Sequence, residues 1–349
     1  MTIHQILTKY WGYTHFRALQ EDIINSVLQG KDTLALLPTG GGKSICYQLP
    51  ALAKDGVCIV ISPLIALMKD QVENLKKKDI PAAAVFSGMH HREIDITLDN
   101  CIFGKTKLLY LSPERLKSEL VQTRIAAMNV NLIAVDEAHC ISQWGYDFRP
   151  SYLTISGIRN VKPDVPVLAL TATATPEVVK DIQEKLLFKE KNLLQTSFER
   201  KNLAYVVLNE DDKLKRLLKI VNKVKGTGIV YVRTRKKTKD VADFLRKKKI
   251  SANYYHAGLD YKVRDTIQAD WTNDKCRVIV STNAFGMGID KLNVRFVAHL
   301  DLPESLEAYF QEAGRAGRDE KKAYSVLLYN ESDRIEIETR IKGNLKIRL

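Results

Sequence analysis

The sequence predicts an α/β fold of two consecutive domains, each a mostly parallel sheet flanked by helices. Short apolar runs alternate with segments of helical periodicity along the whole chain, which is typical of parallel strands joined by crossover helices. The alternation starts again after a polar, lysine-rich stretch at residues 190–201. A chain of 349 residues is also long enough for two domains of about 150–200 residues each. We therefore expect one domain at residues 1–195 and a second at 196–349.

Each predicted strand is a nearly continuous apolar run, as expected for parallel strands covered by helices on both faces. The strands are expected at residues 33–37, 57–61, 107–111, 132–135 and 167–170 in the first domain, and at 204–208, 229–232, 253–255, 278–280, 296–299 and 324–328 in the second. Helices are expected at residues 18–29, 43–53, 65–78, 114–120, 176–187, 212–224, 236–249, 262–272 and 304–312.

The positive charge of the chain is concentrated in its second part. Of the net charge of +13, residues 1–195 contribute +2, with 22 Lys and Arg against 20 Asp and Glu. Residues 196–349 contribute +11, with 32 against 21. Basic side chains that neutralise phosphates release counterions, so this asymmetry favours a polyanionic partner. A solvated basic surface is the alternative explanation.

The sequence indicates neither a membrane protein nor a protein stabilised by metal. No apolar run approaches the roughly 20 residues needed to cross a bilayer, and the N-terminus lacks the features of a secretory signal. The five cysteines are scattered without any C-x-x-C pair. We therefore expect reduced thiols and no structural zinc in this chain.

A glycine-rich loop, PTGGGKS at residues 38–44, follows a predicted strand and opens a predicted helix. Its glycines allow a tight turn whose N–H groups point at phosphate oxygens, and the helix adds its positive N-terminal dipole. In such a loop Lys43 reaches the β- and γ-phosphates of ATP and the Ser44 hydroxyl binds Mg²⁺. The residues predicted to bind the nucleotide here are Thr39, Gly40, Gly41, Gly42, Lys43 and Ser44.

A second apolar run ends in two adjacent carboxylates, Asp136 and Glu137, within the tetrapeptide Asp-Glu-Ala-His. Adjacent carboxylates at the end of a strand repel each other unless a cation lies beside them. Asp136 is therefore predicted to hold Mg²⁺, and Glu137 to orient and deprotonate the attacking water. Together with the glycine-rich loop, this pair predicts a protein that converts ATP hydrolysis into relative movement of its domains.

An aromatic ring, a guanidinium and an amide lie close together in the sequence at Tyr13, Arg17 and Gln20. Tyr13 and Arg17 are able to sandwich a purine, and Gln20 has both a donor and an acceptor for the edge of adenine. An aromatic core under an N-terminal helix explains the same spacing equally well.

The chain resembles the RecQ family of superfamily 2 DNA helicases over about residues 10–330. The most specific match is CISQWGYDFRP at residues 140–150, which is similar to the aromatic-rich loop of that family. Further matches lie at residues 62–71, 111–115, 170–175, 282–290 and 311–318. The resemblance implies two tandem RecA-like domains and an ATP- and Mg²⁺-dependent DNA helicase that moves 3′→5′ on single-stranded DNA in repair or recombination.

The resemblance also implies roles for individual residues. Those assigned to adenine are Tyr13, Arg17 and Gln20. Those assigned to single-stranded DNA are Trp144, Phe148 and Arg149. Asp290 is assigned a place near the nucleotide sugar or the DNA path. Those assigned to the γ-phosphate, where an arginine stabilises the charge of the transition state, are Gln311, Arg315 and Arg318.

Two of the departures of the chain from the family pattern bear on its function. Residues 16–20 read FRALQ where the family often has FRPGQ, so the arginine and glutamine are kept and only the turn between them is in doubt. Only 30 residues follow Asp319, and none of them is a cysteine. We therefore expect a catalytic core without the zinc-binding and winged-helix modules of the family.

The expected partners are single-stranded and tailed duplex DNA, and the expected state is a monomer. The expected location is cytoplasmic, at the nucleoid of a bacterium, or nuclear in a eukaryote. Two other functions stay open. One is an RNA helicase that shares the same ATPase motifs, although the aromatic loop favours DNA. The other is a DNA-stimulated ATPase clamp that remodels DNA–protein complexes with little unwinding.

Overall fold

The computed structural model describes residues 1–38, 40–145, 147–197, 199–285 and 291–346, with side chains up to residue 339. Thr39, Tyr146 and Asp290 lie outside the described residues. The chain divides into two compact units, Met1–Phe198 and Glu199–Leu349.

The first unit contains a seven-stranded sheet whose described strand pairings are all parallel. Its strands are β1 (Thr33–Leu36), β2 (Val57–Ile61), β3 (Ala82–Val85), β4 (Leu108–Leu111), β5 (Val130–Val135), β6 (Val167–Thr171) and β7 (Leu193–Gln195). Their order across the sheet is β3-β4-β2-β5-β6-β1-β7. The helices are α1 (Ile3–Trp11), α2 (Gln20–Leu28), α3 (Lys43–Ala53), α4 (Ile65–Lys76), α5 (His91–Ile102), α6 (Glu119–Ala127), α7 (Ile158–Val161) and α8 (Pro176–Lys185).

This sheet has a hydrophobic core on each face. Successive side chains of a strand point to opposite faces, and Ile59 and Ile133 accordingly lie in one core cluster while Val60 and Ala134 lie in another. All four side chains are fully buried. The nearly continuous apolar runs of the sequence therefore correspond to strands covered on both sides.

The second unit contains a six-stranded sheet, again with only parallel pairings among its described strands. Its strands are β8 (Leu203–Asn209), β9 (Thr227–Tyr231), β10 (Ala252–Tyr255), β11 (Val278–Ser281), β12 (Val294–His299) and β13 (Ala323–Tyr329). Their order is β10-β11-β9-β12-β13-β8. The helices are α9 (Lys213–Lys223), α10 (Arg235–Lys247), α11 (Tyr261–Thr272), α12 (Leu306–Ala313) and α13 (Glu331–Lys346).

The predicted architecture of two parallel sheets flanked by helices is confirmed, but several elements escaped prediction. The strand β3 reads AAAV and has only one of the β-branched residues that mark most strands, Val85. The edge strand β7 lies inside the polar stretch predicted to be a linker. The helices α1, α5 and α13 were also absent from the predicted set. Within the described residues, no helix combines the length and apolarity needed to cross a membrane.

All five cysteines are reduced and buried. Burial raises the pKa of the Cys46 thiol to about 12 and that of the Cys101 thiol to about 11. Because the thiolate is the reactive form, these two side chains behave as small apolar residues at neutral pH.

Candidate nucleotide site and aromatic-rich loop

The glycine-rich loop connects the end of β1 to the start of α3. Gly40 and Gly42 have φ angles of +81° and +74°, in the left-handed region that favours glycine. The N–H of Gly41 donates to the carbonyl oxygen of Pro38 at 2.9 Å and closes the turn. A Cβ atom at Gly42 would lie 2.3 Å from Nε2 of Gln20. Both the backbone angle and the close contact therefore require glycine at position 42.

Lys43 and Glu137 meet at the carboxyl ends of two strands of one sheet. Lys43 is the first residue of α3, after β1, and Glu137 follows β5. Lys43 Nζ lies 3.9 Å from Glu137 Oε1, and both side chains are largely buried. Glu137 has a φ of +47°, a conformation that non-glycine residues adopt at an energetic cost and that is concentrated at functional sites.

Asp136 is a buried carboxylate beside this pair. Burial and the charge of Glu137 together raise the pKa of Asp136 to about 6, against the lowering effects of Lys43 and of the Glu137 N–H. That N–H donates to Asp136 Oδ1 at 3.0 Å. A cation bound at Asp136 would offset the unfavourable burial of its charge, and carboxylate and hydroxyl oxygens are ligands that Mg²⁺ accepts. Asp136 therefore fits the role of a magnesium ligand.

Tyr47 interacts with both Ser44 and Asp136. Burial raises the pKa of Tyr47 well above its usual value, the charges of Tyr110 and Asp136 add to the increase, and a hydrogen bond with Ser44 lowers it. The hydroxyl and the carboxylate predicted to hold Mg²⁺ thus act on the same tyrosine.

Two of the three residues predicted to bind adenine contact the glycine-rich loop itself. Arg17 Nη1 donates to the carbonyl oxygen of Gly40 at 2.7 Å. Gln20 Nε2 donates to the carbonyl oxygens of Gly41 and Gly42 at 3.3 and 3.2 Å, while Gln20 Oε1 accepts from the N–H of Arg17 at 2.8 Å. The Tyr13 ring is exposed. Arg17 and Gln20 therefore support the backbone that would hold the phosphates.

The departure from the family pattern at residues 16–20 has a structural consequence. Leu19 has a φ of +63° and precedes the first residue of α2. A glycine, which the family often has at this position, adopts that angle without strain, whereas a leucine does not. The turn is nonetheless formed, and Arg17 and Gln20 reach the glycine-rich loop.

The aromatic-rich loop, residues 140–150, follows β5 in the chain. The Trp144 side chain is 78% exposed, whereas Phe148 is partly buried. The N–H of Arg149 donates to the carbonyl oxygen of Cys140 at 2.9 Å. The Arg149 guanidinium donates to Asp147 Oδ2 at 3.2 and 3.0 Å and to the carbonyl oxygen of Pro63 at 3.1 Å. The loop thus presents one exposed indole ring and holds its arginine in place.

Two of the candidate γ-phosphate residues of the second unit, Arg315 and Arg318, interact with Tyr231 at the end of β9. Arg315 is buried, whereas Gln311 and Arg318 are partly buried. Burial raises the pKa of Tyr231, and the charges of Arg315 and Arg318 together with a hydrogen bond from Arg315 lower it. Both arginines therefore face the Tyr231 hydroxyl in this unit.

Sequence reasoning missed a pair of side chains that hold this arginine segment. Arg200 Nη2 donates to the carbonyl oxygens of Ala316 and Gly317 at 3.2 and 2.7 Å. Asn202 Nδ2 also donates to the Gly317 carbonyl oxygen, at 2.7 Å. Gly317 has a φ of +65°. Arg200 and Asn202 lie at the boundary predicted to be a linker, where the sequence carries no signal of a contact with so distant a segment.

Two family profiles match the chain, DEAD/DEAH box helicase over residues 17–182 and Helicase conserved C-terminal domain over residues 212–320. Dbp5 of S. cerevisiae, bound to RNA and ADP BeF3, matches the structure with a TM-score of 0.73 at 18% identity, covering 98% of this chain and 91% of that one. Mycobacterium smegmatis helicase Lhr, bound to ssDNA and AMP-PNP, matches with a TM-score of 0.75 at 17% identity, covering 95% and 48%. At these identities the likeness shows the fold alone. Fold and profiles together define the class, the core of a DEAD/DEAH-box helicase.

Similarity to curated proteins identifies the family within this class. The chain is 45% identical to "ATP-dependent DNA helicase RecQ" of Haemophilus influenzae over 95% of its own length and 54% of that protein. It is 43% identical to "Probable ATP-dependent DNA helicase RecS" of Bacillus subtilis over 97% of its own length and 69% of that protein. The chain belongs to the RecQ family. It spans about half the length of the RecQ proteins it matches.

Proposed function

We propose that this chain is the motor core of a DNA helicase, which couples Mg²⁺-dependent ATP hydrolysis to 3′→5′ movement on single-stranded DNA and to separation of a tailed duplex. The observation that carries the proposal is the 3.9 Å approach of Lys43 Nζ to Glu137 Oε1 at the carboxyl ends of two parallel strands. Open α/β sheets bind their ligands at that edge. The names of the RecQ relatives, which are DNA helicases, support DNA as the substrate.

Each group at this edge has a distinct chemical task. The backbone N–H groups of Gly40 and Gly42 hold phosphate oxygens, and Lys43 neutralises the β- and γ-phosphates. Glu137 takes the proton of the attacking water. When bound to Ser44 and Asp136, Mg²⁺ supplies further positive charge to the phosphates.

Further residues would complete the nucleotide site. Those proposed to contact the base, sugar or phosphates are Tyr13, Arg17, Gln20, Thr39 and Asp290. In the second unit, the residues proposed to stabilise charge on the γ-phosphate during hydrolysis are Gln311, Arg315 and Arg318.

The aromatic-rich loop is proposed to detect single-stranded DNA. An exposed indole such as Trp144 stacks on any base, which contributes about 1–3 kcal/mol per base. Phe148 and Arg149 would extend this contact. The loop continues directly from the strand end that carries Glu137, so a change in the loop on DNA binding has a short path to the hydrolytic carboxylate.

The decisive experiment measures ATP turnover without nucleic acid, with single-stranded DNA and with single-stranded RNA of the same length. Strand displacement is measured in parallel on 3′-tailed and 5′-tailed duplexes. We expect strong stimulation by DNA and separation of the 3′-tailed duplex. Equal stimulation by RNA would indicate an RNA helicase, and hydrolysis without strand separation would indicate a remodelling clamp.

Two variants make this experiment specific to the candidate site. Lys43→Ala should abolish turnover, because it removes the charge that neutralises the phosphates. Lys31→Ala, which changes an exposed lysine before β1, is the matched control and should behave as the unmodified chain. Turnover in Lys43→Ala at the level of the control would refute the proposed site.

A further inference from the structure

Three side chains at the base of the aromatic-rich loop bring together donor atoms suited to a metal ion. Cys140 Sγ lies 3.8 Å from His139 Nε2 and 3.7 Å from Asp147 Oδ2. All three donor atoms lie within 4.8 Å of one another. No other group of three such ligands occurs among the residues that the structure describes.

The two donor separations that involve Cys140 are close to those expected on one tetrahedral zinc ion. Bonds of about 2.3 Å to sulfur and about 2.0–2.1 Å to nitrogen or oxygen, at the tetrahedral angle, place two ligands about 3.6 Å apart. A single ion can therefore bridge Cys140 to both neighbours with little displacement of their donor atoms. Nitrogen, thiolate and carboxylate ligands are also the set that Zn²⁺ prefers.

The histidine is already oriented for this role. His139 Nδ1 lies 2.8 Å from the Thr171 hydroxyl oxygen, and that hydroxyl donates its own hydrogen to the carbonyl oxygen of Thr173 at 3.1 Å. Nδ1 also lies 3.5 Å from Glu137 Oε2, a carboxylate oxygen that accepts a hydrogen bond. With the ring proton on Nδ1, the basic nitrogen is Nε2, which lies on the side of Cys140. A ligating histidine held by a hydrogen bond at its other nitrogen is the usual arrangement in zinc sites.

We propose that His139, Cys140 and Asp147 form a site for Zn²⁺ or a similar divalent cation. On binding, the Cys140 thiol releases its proton to solvent. The thiolate and the Asp147 carboxylate then supply two negative charges to the ion, while the Arg149 guanidinium adds one positive charge beside Asp147. Arg149 now donates to Asp147 Oδ2, but its Nη1 also donates to the carbonyl oxygen of Pro63 at 3.1 Å, so it keeps a partner when the ion arrives. Asp147 is 29% exposed and provides the path of entry.

Occupancy would regulate the motor. The ion would bind Cys140 to Asp147 across the segment that carries Trp144, and it would engage the histidine next to the hydrolytic carboxylate. We expect the bound ion to hold the aromatic-rich loop in one conformation and to suppress its response to DNA. This regulatory consequence rests on the proposed function, whereas binding of the ion does not.

The test uses the untagged chain and Co²⁺ as a spectroscopic probe for Zn²⁺. Titration should produce a thiolate-to-cobalt charge-transfer band that saturates at one equivalent and is abolished by Zn²⁺. The band should be lost in Cys140→Ser and should need at least about tenfold more Co²⁺ in Asp147→Asn. Cys101→Ser, which changes another buried thiol, is the control and should keep the band.

Two outcomes would overturn the site: no charge-transfer band in the unmodified chain, or a band that persists in Cys140→Ser. Thermal unfolding without metal shows whether each variant is folded, and Asp147→Asn decides the question if Cys140→Ser is not. Stoichiometric cobalt binding without any effect of Zn²⁺ on DNA stimulation would confirm the site and remove its regulatory role. Absent DNA stimulation in metal-free chain would instead count against the proposed function.

Discussion

Replacement of Gly42 by alanine tests how the phosphate-binding loop is supported. The φ angle of +74° makes an alanine at this position unfavourable by roughly 1–2 kcal/mol. The new Cβ atom would lie 2.3 Å from Gln20 Nε2 and would displace its two hydrogen bonds to the loop, each contributing about 0.5–1.5 kcal/mol. We therefore expect the free energy of unfolding of the first unit to fall by about 2–5 kcal/mol.

The matched control is Gly30→Ala. Gly30 has a φ of +82°, and a Cβ atom added there would meet no other atom within 4 Å, so this variant reports the backbone contribution alone, about 1–2 kcal/mol. Urea unfolding followed by circular dichroism gives both values, and the buried Trp271 reports the second unit as an internal reference. The difference between the two variants isolates the contact with Gln20.

A double variant completes the test. If the clash with Gln20 is real, Gly42→Ala should lose no more stability than Gly30→Ala when Gln20 is already alanine. ATP affinity should fall in Gly42→Ala, because the loop backbone moves. Equal losses for Gly42→Ala and Gly30→Ala in the unmodified background would refute the close packing of Gln20 against the loop.

Four further predictions address the site. Glu137→Gln should abolish ATP turnover while ATP and DNA still bind by fluorescence anisotropy, and normal turnover would contradict its role as the base. Trp144→Ala should bring the DNA-stimulated rate down towards the DNA-free rate; an unchanged stimulation ratio would make the loop structural. The pKa of Asp136 is raised from an ordinary 3.8 to about 6, so ionisation of Asp136 weakens the fold as the pH rises between these values. In EDTA, Asp136→Asn should therefore be more stable than the unmodified chain at pH 7.5 but not at pH 4. A stability gain that grows on acidification would contradict this prediction. Arg200→Ala should lower the DNA-stimulated kcat more than it changes the KM for ATP, and Arg200→Lys should keep part of that kcat. Arg216→Ala, which removes a partly exposed ion pair, should change neither kcat nor KM.

The sequence predicted those features that depend on local residue patterns. The glycine-rich loop and the two carboxylates each follow an apolar strand, and parallel strands bring their carboxyl ends to one edge of a sheet. That rule accounts for the 3.9 Å approach of Lys43 Nζ to Glu137 Oε1. The strand order of each sheet is set by packing between distant segments, and no local pattern encodes it.

Contacts between distant segments were beyond sequence reasoning. Gln20 is predicted to contact adenine, and no local pattern indicated that its amide also contacts the loop backbone 21 and 22 residues away. Arg200 lies in a stretch that was predicted to be a linker. Its partners are backbone carbonyl groups, which every residue has, so no residue pattern indicates the contact. The left-handed φ angle of Leu19 could not be predicted from leucine itself. The only sign of it was that the family often has glycine at this position.

The burial of every native thiol has a practical consequence for observing this protein at work. A bulky maleimide reacts with exposed thiolates, so a cysteine introduced at an exposed position would be labelled over a low background. One fluorophore placed in this way on each unit would test by energy transfer whether the distance between the units changes during ATP hydrolysis, with the chain otherwise unaltered.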